Sequence, residues 1–198
     1  GAMILGATVY AAAVKAGQPH PEVWVLFPLV VRAFGLLASM IGILTVRGKE
    51  GENPMAALNR GYFVAVFFSL AGLFLATQVM VSDPLQKLWL FAAGAVGIVT
   101  SVVVVFVTQY YTEASYRPVK EIANASRTGP ATNIVSGMAV GLETTFATAV
   151  VIGAALLVSY WMGTMTGLAG GGVFGTAAAT MGMLMTCPFI LAMDTFGP

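Results

Sequence analysis

The sequence predicts an all-α fold, a polytopic bundle of transmembrane helices, and three observations carry that prediction. Five apolar stretches, 23–46, 61–81, 88–107, 134–161 and 172–193, follow one another along the 198-residue chain. Each meets the ~20 helical residues, at ~1.5 Å rise apiece, that a hydrocarbon core of about 30 Å requires. Charged residues make up only 9% and hydrophobic ones 58%, whereas an ordinary soluble domain needs about a quarter of its residues charged to cover its surface. Glycine is abundant, at 23 residues, as suits helices that pack closely in lipid.

In chain order, residues 1–14 are apolar but too short to span, and read as the outgoing end of a helix begun upstream. They lack the basic leader and small-residue cleavage site of a signal peptide. Gly1-Ala2 before Met3 also fits a protease-cleavage scar. At the other end the chain stops at Asp194-Thr-Phe-Gly-Pro with no polar tail, so the whole is expected to be a piece, one transmembrane domain fragment over 1–198, of a larger protein.

The connections alternate between two faces. Loops 15–22, 82–87 and 163–171 hold Lys15 and Lys87; loops 47–60 and 110–133 hold Arg47, Lys49, Arg60, Arg117, Lys120 and Arg127. The excess puts the second face in the cytoplasm. Asp194 then emerges on the cytoplasmic side, and the stub ends outside. Gly48, Gly51 and Pro54 break the first cytoplasmic loop. In the second, residues 118–123 form a short amphipathic helix with Pro118 at its start, closed by Ser126-Arg-Thr-Gly-Pro.

Two ionisable side chains sit well inside apolar stretches, Arg32 and Glu143. Burying either alone is costly, so each should face the protein interior and have a partner. Their helical depths match, and the expectation is that they pair, as part of an ion path or as a structural salt bridge or hydrogen-bonded buried acid. The Gly137/Gly141 and Gly171/Gly175 steps read as helix-packing surfaces. Trp24, Trp89, Tyr110, Tyr111 and Trp161 fall near helix ends, where aromatic rings anchor at the interface. Gly170-Gly-Gly lacks the Gly-Lys-Ser/Thr and the preceding strand of a phosphate loop. His20, the single histidine, has no second histidine or nearby cysteine with which to hold zinc, and Cys187, the single cysteine, cannot form an intrachain disulfide. Cations are scattered rather than clustered, so nucleic acid is not expected as a partner. Asp194 is a carboxylate that could hold a hard cation or a basic partner, or stand solvated at a helix end; one carboxylate makes no Mg2+ site.

The runs Gln109-Tyr-Tyr-Thr-Glu-Ala-Ser-Tyr-Arg-Pro-Val-Lys-Glu-Ile-Ala and Ala125-Ser-Arg-Thr-Gly-Pro-Ala-Thr-Asn resemble the membrane-bound, ion-pumping pyrophosphatases. Gly137-Met-Ala-Val-Gly-Leu-Glu-Thr-Thr looks like that family's next membrane helix, and Leu26-Phe-Pro-Leu-Val-Val-Arg-Ala-Phe-Gly-Leu-Leu-Ala-Ser like an upstream one. Asp194-Thr-Phe-Gly-Pro looks like the start of its Asp-x-Tyr/Phe-Gly-Pro-Ile-Ser/Thr-Asp-Asn-Ala-Gly-Gly motif. The resemblance implies a homodimer whose subunit has about sixteen membrane helices, of which this chain would supply the end of helix 6 and helices 7 to 11. It implies hydrolysis of cytoplasmic inorganic pyrophosphate with Mg2+, coupled to outward transport of H+ or Na+ across a lipid bilayer, the inner membrane of a prokaryote. The Mg2+ ligands, and the determinants of ion choice and K+ dependence, would lie in helices this stretch does not contain in full, so no metal ligand is expected within it. Asp194 matches the earlier Asp of the motif and would have a supporting electrostatic role. Thr195 stands where Ala is common, and Phe196 where the family has Tyr or Phe. Glu143 matches a variable position, which argues against its carrying the pumped ion. Most of the chain would be outer-ring scaffold, inactive alone. The alternative is a non-hydrolytic secondary transporter or membrane scaffold, for which inverted repeats and broken helices would be the sign; no convincing repeat pair is visible.

Overall fold

The computed structural model describes residues 1–48 and 54–196, the last by its backbone. Lys49 and Gly51 of the first cytoplasmic loop, and the Gly197-Pro198 after Phe196, lie outside the described residues. Eight helices run through them: α1 Ala2–Lys15, α2 Val23–Thr45, α3 Pro54–Met80, α4 Pro84–Thr112, α5 Arg117–Ala125, α6 Pro130–Thr164, α7 Gly171–Met185 and α8 Cys187–Phe196. Five passages are long and apolar enough to cross a bilayer, α7 and α8 counting together as one. The chain is a multi-pass membrane protein, all-α as its sequence predicts, and α1 and the amphipathic α5 fall where expected.

The helices overrun the apolar stretches, because hydropathy marks the bilayer and not the helix. α3 starts at Pro54 rather than Gly61, α4 at Pro84 rather than Leu88 and α6 at Pro130 rather than Ile134. Proline is suited to a first turn, where its missing N–H has no intrahelical partner anyway. Before α4, Asp83 accepts the Leu85 N–H on its side-chain oxygen at 2.9 Å, an N-cap. The fifth stretch departs differently: it is not one helix but two, broken at Thr186 just before Pro188.

The described residues form two compact units, 1–99 with 155–198, and 100–154. In the first, α2 is the central post, with α1, α3, α7 and α8 against it. Phe27, Val31, Leu73, Leu90, Phe174 and Met185 form the core, each 0–1% exposed. Trp24 is not an interfacial anchor but 5% exposed. Its ring meets that of Phe174 edge-on at 5.6 Å, and Gly6 lets α1 come against its carbonyl. Trp89 and Trp161 stack edge to face at 5.8 Å.

Small residues set the helix spacings of this unit. A Cβ on Gly97 would collide with the Ala179 carbonyl, and one on Gly182 with the Gly94 carbonyl, so α4 and α7 approach backbone to backbone. Gly175 lies against Ser159 O and Gly163 in the same way, which gives the Gly171/Gly175 step its expected packing role. Gly137 and Gly141 have nothing within 4 Å of an added Cβ. Gly97→Ala is expected to destabilise the protein by about 1–3 kcal/mol through overpacking, read as a lowered unfolding temperature in detergent. An unchanged temperature would mean that α4 and α7 lie farther apart.

Candidate functional site

The break between α7 and α8 follows from Pro188, which has no N–H to donate to the carbonyl of Leu184 four residues back. The next donor is diverted too: the Phe189 N–H goes to Thr186 O at 3.1 Å, which deprives Met185 O of its helical partner. Three consecutive carbonyls are met by side chains instead. Thr186 Oγ1 donates to Met183 O at 3.2 Å, Arg32 Nη1 to Leu184 O, and Ser39 Oγ to Met185 O at 3.1 Å. The capping N–H of Thr186 also turns to Leu184 O.

Arg32 and Ser39 both belong to α2, two helical turns apart and so on one face. Gly35 stands between them, where a Cβ would come within 2.7 Å of Met185 Cα. Below the joint Phe189, 2% exposed, is seated against Tyr62 at 5.9 Å between ring centroids. Gly42 and Gly61 leave room for that ring. Asp194 follows in the last turn of α8 and is exposed. An apolar groove of about 380 Å³ beside it is lined by Val46, Pro54 and Met193. The end of α2, the start of α3 and the end of α8 thus lie together, and Asp194 shares that end with Arg47 and Arg60.

In the second unit, Glu143 accepts a hydrogen bond from Tyr111 Oη at 3.1 Å. Tyr110 packs against Tyr111 at 5.1 Å and Tyr116 at 5.3 Å. Arg117 and Glu121, one turn apart on α5, pair at 3.5 Å. With Thr132, Ser136 and Glu143 they line an open groove of about 500 Å³. Arg32 and Glu143 therefore fall in separate units, and each has a partner of its own, a backbone carbonyl for one and a phenol for the other. Among the described residues no three His, Cys, Asp or Glu side chains converge. On the opposite loop His20 Nδ1 lies 3.1 Å from Glu22 Oε1. The Glu22 carboxyl is held below the usual carboxylate range, first by its own backbone N–H and then by His20.

Sequence reasoning singled out Arg32 and Asp194 but missed Ser39 and Pro188, which tie them to one feature. The signal was present: a proline inside an apolar stretch, and a polar pair seven residues apart on another.

Compared with known proteins, the chain matches the profile of the family described as Inorganic H+ pyrophosphatase over residues 1–198. It is 52% identical over 200 residues to a K+-insensitive pyrophosphate-energized proton pump of Moorella thermoacetica, covering 100% of this chain and 28% of that protein. It is 40% identical over 213 residues to a pyrophosphate-energized membrane proton pump of Arabidopsis thaliana, covering 100% of this chain and 26% of the relative. It is 35% identical over 202 residues to a putative K+-stimulated pyrophosphate-energized sodium pump of Clostridium tetani, covering 100% and 27%. The chain thus spans little more than a quarter of the length of these relatives.

Ser39→Ala, at a position 1% exposed, is expected to cost about 1–2 kcal/mol of stability by leaving the Met185 carbonyl without its side-chain donor. An unfolding temperature equal to the wild type would mean that another donor takes that carbonyl.

Proposed function

We propose that this chain, which belongs to the inorganic H+ pyrophosphatase family, is part of a longer membrane pump. That pump couples hydrolysis of inorganic pyrophosphate on the cytoplasmic side to outward movement of H+ or Na+. H+ is favoured, because identity to a proton-pumping relative is 52% and to a sodium-pumping one 35%. The match along the whole chain is the observation that carries this reading. Both units would be parts of one membrane domain, in the inner membrane of a prokaryote, as helices 6 to 11 of a dimeric pump subunit. Most of these residues would be scaffold. The exposed apolar residues of α6, such as Val135, Leu142 and Phe146, suit a helix whose neighbours are lipid or the rest of the subunit.

The family resemblance implies Mg2+, which would neutralise phosphate oxygens and activate water. The residues present do not fit a metal site, since Asp194 is a single carboxylate and no cluster of three candidate ligands forms among the described residues. What this chain contributes is placement of charge. Asp194 sits in the last turn of α8, which holds no basic residue, and there the negative end of the helix dipole opposes a carboxylate. Such a charge answers to a cation outside its own helix, and Arg47 and Arg60 share that end of the first unit. The transporter alternative draws on the broken α7–α8 passage, a break that Pro188 accounts for locally.

In the full-length protein, Asp194→Asn is expected to lower turnover of magnesium pyrophosphate by roughly one to two orders of magnitude without loss of assembly. Undiminished turnover would make Asp194 a solvated helix end. The 198 residues alone are expected to hydrolyse no pyrophosphate; Mg2+-dependent turnover by them would refute the assignment of the metal ligands to the rest of the subunit.

A further inference from the structure

An arginine well inside an apolar stretch is costly and needs a partner. The guanidinium meets the carbonyl whose helical donor would have been Pro188. Guanidinium presents five donors in a fixed fork, so one of them can cap this carbonyl. Ser39 closes the neighbouring carbonyl from the same face of α2. Phe189 then seats the first turn of α8 among Gly42, Gly61 and Tyr62. Asp194 follows Phe189 by little more than one helical turn.

We propose that Arg32 is a positioning residue: acting through the Leu184 carbonyl, it clamps the α7–α8 joint in one capped arrangement and so sets the direction in which α8 carries Asp194 to the membrane surface. The clamp rests on geometry alone; its effect on catalysis rests on the pump reading above. Released from Arg32, the joint can hinge about Thr186, and α8 loses its fixed line to the cytoplasmic end. Arg32 contributes no proton and touches no substrate. Its consequence is for where a carboxylate stands.

Pro188 supplies the test. If Arg32 serves to replace the donor that Pro188 lacks, then Pro188→Ala, which restores an N–H facing Leu184 O, makes Arg32 dispensable. Full-length protein in inverted membrane vesicles would carry Arg32→Met, Arg32→Lys, Pro188→Ala or the double change Arg32→Met with Pro188→Ala. The readouts are magnesium pyrophosphate turnover, ions moved per pyrophosphate, and the rate at which N-ethylmaleimide modifies Cys187, followed on its peptide by mass spectrometry. Cys187 is the residue between Thr186 and Pro188 and is half-buried, so its labelling reports the joint whether or not the protein turns over.

Arg32→Met is expected to speed Cys187 labelling, and to lower kcat more than KM rises, by about fivefold or more, the worth of a buried carbonyl that keeps only the Thr186 N–H. Ions moved per pyrophosphate should not change, and Arg32→Lys should recover part of the loss. In the Pro188→Ala background the same change should shift either rate by less than about twofold. If Arg32→Met fails to assemble, recovery of assembly by Pro188→Ala is the same result read at another stage. Equal losses in both backgrounds, unchanged Cys187 labelling, or hydrolysis retained with transport lost would each overturn the clamp, the last by making Arg32 part of an ion path. A wild-type protein without pyrophosphate turnover would remove the pump reading, and the labelling cycle would still decide the clamp.

Discussion

Backbone carbonyls that lose their helical donors inside a bilayer have no water to turn to, and each must be met by another part of the protein. In this chain the requirement is met visibly where Pro188 ends the hydrogen-bond ladder of α7 and α8 begins. Met183, Leu184 and Met185 present their carbonyls in succession there, and Thr186, Arg32 and Ser39 supply the hydroxyl, guanidinium and hydroxyl that meet them. The position of α2 against α7 and α8 is tied to that exchange, because two of the three donors stand on α2.

A serine hydroxyl reaches only a short way from its helix, so this solution demands that backbones come close. Gly35 makes the approach possible at the joint, and Gly42 with Gly61 makes it possible around Phe189. The same device recurs where α4 meets α7 at Gly94, Gly97 and Gly182. The glycine content of the chain is therefore spent largely on contact distance in the first unit. Gly137 and Gly141 of α6, in the second unit, meet nothing within 4 Å among the described residues. Composition alone does not tell the two uses apart.

The membrane spans, the short helix α5 and the emergence of Asp194 at the end shared by Arg47 and Arg60 were legible in the sequence, because hydropathy, proline position and charge bias each act locally. The family was legible too, from the run beginning at Gln109. The true helix starts were not, since the polar residues behind Pro84 and Pro130, and Asn59-Arg60 in the first turns of α3, interrupt the apolar signal. The break at Thr186 is subtler. Pro28 lies inside α2, which continues through it as one helix, while Pro188 coincides with a break, so a proline in an apolar stretch does not by itself mark one. The partner of Arg32 was hidden too. Matching depth suggested Glu143, whose carboxylate accepts from Tyr111, but a freed carbonyl carries no sequence signature.

The most direct measurement is an experimental density map of the full-length protein in lipid nanodiscs, at a resolution that shows side chains around residues 183–189. The expected map has the Arg32 guanidinium on the Leu184 carbonyl, Ser39 on the Met185 carbonyl, and the helix interrupted at Thr186. A continuous helix through Thr186, with Arg32 turned away to pair with Glu143, would contradict it.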